Sequence, residues 1–493
     1  MKTQEMAQTW IQKVLMAGIF ALGAVYLAGL VWLFSQRLVY PYELDWVEGG
    51  MLTSVIEILN GRSLYAEPTI SYVPFVYAPV YFYVSALIAN IAGPSLLALR
   101  LVSVIATLIS LIMIVLIVVG ETKSWFWGII SAGLLAGLYP ASGYWFDLAR
   151  VDSLFLMFFL FFLWALRRGD SLHWQILAGV FASLALLTKQ AGLTMCLPII
   201  GVYVLLDWKH RLALPLTTLL VYGGVSLAFT LFSDGWYIYY CFTLLLSEPI
   251  NEAMPAVSDF VKVFFVPNIL IATVLTTIVF LFWFFRNSKA RLFFWMVVFI
   301  STILTSYAGK AKVGGVSNAL IPTFAIFSIF LGMAIPEIRY ALRSLSKRYS
   351  GLLEIGLCLL VLFQMIQVIY KPWRHAPTPE NYRDGDKALQ IVKKFDGNVY
   401  APNSAISLMA GKRTFAHPSA VWEIVHSRGE SKGKDLMKNE IQKAMDTQLF
   451  EAMVIFPYVD FFHDLQTYYS QDDSRYILVD ENWHEKADVY VLP

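Results

Sequence analysis

Two carboxylates stand three residues apart in "ELDWVEGG", residues 43–50, just after the first long apolar run of the chain. Held beside hydrocarbon, Asp45 and Glu48 could keep one member as a base, or grip a divalent ion through oxygen ligands. The plainer alternative is a solvated interfacial turn that caps a helix starting near Val47. A second cluster, "LARVDSLFL", brings Arg150 and Asp152 to the start of another apolar run. They are either an ion pair capping that span or a second carboxylate facing a shared cavity. Lys189 in "LLTKQAG" and Lys310 and Lys312 in "AGKAKVGGVSN" add cations at apolar boundaries. Such lysines can be snorkelling anchors. They can equally hold an anionic ligand, and Gly314-Gly315 permits the close backbone approach that a phosphate favours.

These groups must be positioned by a membrane protein. Of the 493 residues 58% are hydrophobic and only 15% charged, with a mean hydropathy of +0.61; soluble domains carry roughly 25% charged residues. A net charge of +2 supplies no global attraction for nucleic acid. The three cysteines, Cys196, Cys241 and Cys358, form neither a disulfide framework nor a zinc pattern, and the histidines follow no metal spacing.

About eleven spans satisfy the rule that roughly 20 apolar residues cross the hydrocarbon. They run over 14–35, 98–119, 125–139, 151–166, 174–188, 192–206, 212–232, 263–285, 292–307, 317–334 and 351–370. The first is too long for a cleaved signal peptide and is read as retained. Basic clusters at Arg167-Arg168, 209–211, 286–291 and 339–348 mark cytoplasmic loops. That leaves the N-terminus cytoplasmic and puts 36–97, 139–152 and the lysine segments outside. The assignment requires 76–92, which carries Pro79 and a tyrosine-rich lead-in, to be an interfacial or re-entrant helix rather than a twelfth span. The aromatic run 236–240 reads as an interfacial belt or a sugar-stacking platform.

After Lys371 the apolar pattern stops. Helical stretches over 381–395 and 433–447 and strand-like "NVYAP", "EAMVIFP" and "DVYVLP" indicate a soluble unit. The expected fold is therefore mainly α: a polytopic membrane helical bundle over 1–371, with the carboxylate motif in an outer loop at 36–97 and an interfacial helix. A C-terminal soluble α/β domain over 372–493 lies on the outer face.

The order of these motifs resembles the GT-C membrane glycosyltransferases, in particular the aminoarabinose transferases and protein O-mannosyltransferases. "ELDWVEGG" looks like the family's Asp/Glu motif, "LARVDSLFL" like its second-Asp segment, and "YAPVYFYV", with Tyr77, like its Pro-rich helix. "LLTKQAG" is similar to the threonine-lysine-glycine stretch, with Gln190 where Gly is usual, and a lysine-bearing loop runs into "NALIP" at Asn318. The resemblance covers roughly residues 40–323.

The resemblance implies an inverting glycosyltransferase that takes a sugar from a polyprenyl-phosphate carrier and passes it to a hydroxyl on a glycan, lipid or protein. The setting it implies is the outer face of a bacterial inner membrane, among membrane lipids and without nucleic acid. Asp45 is then the base, with Glu48 and Asp152 orienting the acceptor. Arg150, Lys189, Tyr77, Lys310, Lys312 and Asn318 would bind substrate, and the lysines would neutralise the departing phosphate. No cofactor is demanded; Asp45 and Asp152 would hold magnesium or manganese if the reaction uses a divalent ion. Two other classes fit less of the pattern. A flippase of lipid-linked glycans predicts charges along a path and pseudo-repeat halves, and a structural assembly subunit predicts dispensable carboxylates.

Overall fold

A computed structural model describes residues 2–247, 257–263, 266–286, 288–312, 315–345, 350–456, 459–462, 465–477 and 486–492. Gly314 and the basic residues Lys347 and Arg348 lie outside the described residues. The chain is mainly helical. Among the described residues, seven helices are long and apolar enough to cross a membrane: Trp10–Leu38, Leu96–Thr122, Ala213–Phe232, Pro267–Phe285, Lys289–Ala311, Ser317–Ala341 and Gly351–Arg374. The runs at 125–139, 151–166, 174–188 and 192–206 fall on shorter apolar helices, Trp125–Gly137, Asp152–Leu166, Leu172–Leu186 and Ala191–Leu206. The stretch at 76–92 forms the short helix Val80–Ala92, which packs on Glu48–Leu59 and on Leu96–Thr122.

Local chemistry sets several boundaries. Ser95 and Ser124 accept the backbone N–H of Ala98 and Trp127, starting their helices with the cap that Ser favours. Burial grades across the bundle. The best 18-residue window of Ser317–Ala341 is 83% buried and that of Ala213–Phe232 only 11%, so the first is the central post and the second lies at the rim. The rim helix exposes Leu231 and Phe232, as expected of a surface solvated by lipid rather than water.

Two apolar cores result. One lies among the long helices, around Trp283, Trp295 and Phe330. The other joins residues 40–106 to the C-terminal residues after 388, so that Met51, Phe75 and Tyr81 share a core with Val421, Met437 and Met453. In the C-terminal region, β1 (Val399–Tyr400), β2 (Ala452–Ile455), β3 (Ser470–Ile477) and β4 (Lys486–Val491) form one sheet in the order β1-β2-β4-β3. The β1–β2 pair is parallel, and the β2–β4 and β3–β4 pairs are antiparallel. The helices Pro379–Lys393 and Lys432–Asp446 flank the sheet strands in sequence.

The end of the bundle away from the sheet is tied by ion pairs. Glu121 accepts from Arg167 at 2.5 Å and from Arg291 at 2.9 Å, Arg291 also reaches Glu337, and Arg339 meets Glu354 at 2.7 Å.

Candidate functional site

The double glycine is the seam between the first loop and the C-terminal region. A Cβ at Gly49 would strike the Glu43 carboxylate and lie 2.8 Å from the Ala405 nitrogen. One at Gly50 would lie 2.6 Å from the Phe75 ring and 3.0 Å from His417. Glu43 is buried and accepts from Asn403 Nδ2 at 2.7 Å and from the Ala405 N–H at 3.0 Å, satisfying the start of the helix Ser404–Met409. Burial pushes the Glu43 carboxyl well above its ordinary range. His417 closes the seam on the other side. Its Nδ1 accepts from the Ser419 N–H, so Nε2 carries the proton and donates to the Trp46 carbonyl at 2.9 Å. Burial lowers its pKa to about 4.

Glu48 opens the helix Glu48–Leu59 and is fully buried. Its carboxylate takes Arg100 Nε at 2.9 Å and Nη2 at 2.6 Å, the Ala149 N–H at 2.7 Å and the Leu44 N–H at 2.7 Å. Burial alone would raise its pKa, but Arg100 and these N–H groups outweigh it and hold the carboxyl below its ordinary value. Arg100 also donates to the carbonyls of Arg37, Tyr40 and Tyr42. Four donors on two oxygens leave Glu48 little capacity for an acceptor or a metal ion. Its bonds tie down the backbone on either side of the network, at Leu44 beside Asp45 and at Ala149 beside Arg150.

Asp45 Oδ2 accepts from Arg150 Nη1 at 2.9 Å. Burial pushes the Asp45 carboxyl above its ordinary value, against the pull of Arg150. Arg150 also donates to the Tyr77 hydroxyl at 2.9 Å, and its guanidinium lies over the rings of Tyr77 and Trp145, 5.7 Å and 5.2 Å from their centroids. Its Nε is buried and has no hydrogen-bond partner among the described residues. Trp145 passes the network on, donating from Nε1 to Asp152 Oδ2 at 3.1 Å. Asp152 Oδ1 accepts from Lys189 Nζ at 2.6 Å and from Asn318 Nδ2 at 3.3 Å.

Asp152, Lys189 and Asn318 line a cleft with Phe155, Ala191, Thr305, Gly309 and Pro322. Counted together with its open mouth, its empty space is about 370 Å³. The helices Asp152–Leu166, Ala191–Leu206 and Ile321–Leu345 all begin at this cleft. Their N-terminal dipole ends and Lys189 favour an anion there.

The structure thus brings Asp45, Arg150, Tyr77, Asp152, Lys189 and Asn318 into one connected network. It leaves the two loop lysines to its side: Lys310 sits in the last turn of Lys289–Ala311, one residue past the lining residue Gly309, and Lys312 donates to the Leu245 carbonyl at 2.9 Å. The cleft cation is Lys189. Asp45 and Asp152 are each matched to a separate cation, and no group of three or more His, Cys, Asp or Glu among the described residues could hold a metal ion. The donor set does not fit a divalent ion.

Arg100, Glu43, Trp145 and His417 were not singled out from the sequence. Arg100 could have been: it is a lone arginine within "LLALRLVSVI", and an ionisable group inside an apolar helix implies a partner. The other three acquire their roles only through contacts far apart in the chain.

Residues 76–238 match the model of the dolichyl-phosphate-mannose-protein mannosyltransferase family. The whole fold is similar to that of ArnT from Cupriavidus metallidurans bound to undecaprenyl phosphate, with a TM-score of 0.58 at 12% identity over 95% of this chain and 97% of that one. It is also similar to the oligosaccharyltransferase AglB from Archaeoglobus fulgidus in complex with an inhibitory peptide and a dolichol-phosphate. There the TM-score is 0.52 at 12% identity, over 87% of this chain and 69% of that one. No curated protein matches the chain by sequence. The resemblance to the GT-C membrane glycosyltransferases is carried by sequence over 76–238 and by fold over nearly the whole chain.

Proposed function

We propose that this protein is an inverting membrane glycosyltransferase that moves a sugar from a polyprenyl-phosphate carrier to a hydroxyl acceptor. The observation that carries the proposal is the connected path from a buried carboxylate, Asp45, through Arg150 and Trp145 to a cleft where Lys189, Asn318 and three helix N-termini converge. An anionic leaving group and a proton acceptor are what glycosyl transfer from a lipid phosphate needs at its two ends. The acceptor hydroxyl gives its proton to Asp45 as its oxygen bonds to the anomeric carbon. The bond from that carbon to the phosphate oxygen breaks on the opposite face, and Lys189 neutralises the phosphate as charge develops. The elevated proton affinity of Asp45 suits the role of base. The lipid-bound ArnT and the dolichol-phosphate-bound AglB, which share the fold, support the choice of a polyprenyl-phosphate carrier.

We place the site on the outer face of a bacterial inner membrane, with residues 372–493 as a soluble domain on that face and Val80–Ala92 lying at the interface. The basic loops at the far end of the bundle support that orientation.

The test is Asp45→Asn, expressed as the only copy of the protein and read by accumulation of the polyprenyl-phosphate-linked sugar in membranes. Transfer should fall at least ~100-fold while the protein stays folded. A folded Asp45→Asn protein that transfers normally refutes the assignment.

A further inference from the structure

The network around Arg150 has a further contributor, from the C-terminal region. The helix Pro418–Val425 is pinned at its start by His417, whose bond to the Trp46 carbonyl falls on the residue next to Asp45. Val421 and Ile424 on this helix are fully buried in the shared core, which fixes its rotation. Glu423 lies between them in sequence, half-buried with its Oε2 fully covered, and within electrostatic reach of both Arg150 and Tyr77.

Arg150 has five N–H donors and is 9% exposed. Nη1 is used by Asp45 and Nη2 by Tyr77, while the buried Nε is unpartnered among the described residues. A buried guanidinium needs compensating charge that does not vanish during turnover. Under the reading above, Asp45 becomes neutral when it accepts the acceptor's proton. Arg150 then loses its directly bonded anion at the moment when its position matters. The charged and titratable groups around this pair are Glu43, Glu48 with Arg100, Tyr77, Asp152 with Lys189, His417 and Glu423. Glu48 is held by Arg100 and Asp152 by Lys189, and His417 is neutral. Asp152 also acts on Arg150 but is bonded to Lys189, and Glu423 adds a further carboxylate that outlasts the protonation of Asp45.

We propose that Glu423 is a positioning residue of the catalytic centre, which keeps Arg150 in place while Asp45 carries the acceptor's proton. The C-terminal region thereby supplies part of the site rather than only covering it. The inference rests on the proposed transferase reaction. No proton moves to or from Glu423; its charge is constant through the cycle.

The experiment uses the full chain as the only copy in cells, with transfer read as before, and purified protein probed with undecaprenyl phosphate. Glu423→Gln should lower transfer about 10-fold, leave undecaprenyl phosphate affinity and thermal unfolding unchanged, and be restored by Glu423→Asp. In an Arg150→Lys background, Glu423→Gln should add little. Normal transfer by Glu423→Gln, a loss that Glu423→Asp does not restore, weakened undecaprenyl phosphate binding, or a full additional loss on Arg150→Lys would each overturn the inference. Normal transfer by Asp45→Asn would instead remove the reaction on which it rests.

Discussion

Both ends of the helical bundle carry arginine–carboxylate pairs, and they are built differently. At the far end, Arg167 and Arg291 share Glu121 while keeping 35% and 24% of their side chains exposed. At the site end, Arg100 and Glu48 are fully covered and Arg150 and Asp45 nearly so. Part-solvated pairs let water and lipid headgroups share the cost of the charge, so they can anchor helices without further bonding. Buried pairs lack that help and must be saturated or useful. Glu48–Arg100 is saturated, and the pairs of Asp45 and Asp152 open onto the cleft network.

The largest effect that would sharpen this contrast is the loss of one buried partner. Arg100→Met should destabilise the protein by about 3–5 kcal/mol by stranding Glu48, and Arg167→Gln at the far end by less than ~1 kcal/mol. Thermal unfolding in detergent measures both, and equal losses would break the comparison.

Next comes pH. His417 is held neutral in the fold, with its pKa lowered from 6.5 to about 4 by burial. The unfolded chain therefore binds more protons between those values. The stability His417 contributes is complete above about pH 6.5 and is lost as pH falls towards 4, a change of up to about 3 kcal/mol. His417→Gln should flatten that part of the stability–pH curve, and an unchanged slope would refute the assignment.

The smallest expected difference separates two lysines. Lys189→Gln should weaken undecaprenyl phosphate binding by about 2 kcal/mol, a loss of roughly 30-fold. Lys312→Gln, whose ammonium serves a backbone carbonyl, should change it by less than ~1 kcal/mol. The reverse order would return the phosphate to the loop.

How far the site was legible follows from what each residue depends on. Asp45, Asp152, Lys189 and Asn318 lie at ends of apolar runs, where hydrophobic periodicity alone exposes a misplaced polar group. The long helices are legible for the same reason, since hydrocarbon enforces one solution on a run of that length. Glu48 was visible as a residue, but its saturation was not, because that is a property of Arg100 and of two backbone N–H groups that spacing does not reveal. Lys312 looked the better phosphate ligand because a glycine pair followed it, yet Gly315 packs against the backbone of Gly309 and Lys310. His417 and Glu423 sit in an ordinary soluble-looking helix, and only the pairing of that helix with residue 46 gives them meaning.

The bond from Asn403 to Glu43 joins residues 360 positions apart. During synthesis, the loop that carries Asp45 leaves the ribosome long before its packing partners from residue 388 onward. Until then Met51, Phe75 and Tyr81 have only part of their core to enter. Nascent chains must therefore carry an unfinished, apolar loop through the insertion of nearly every helix. A chain cut short before residue 403 would present the same exposed loop permanently, and so would be marked for membrane quality control rather than surviving as a weak enzyme.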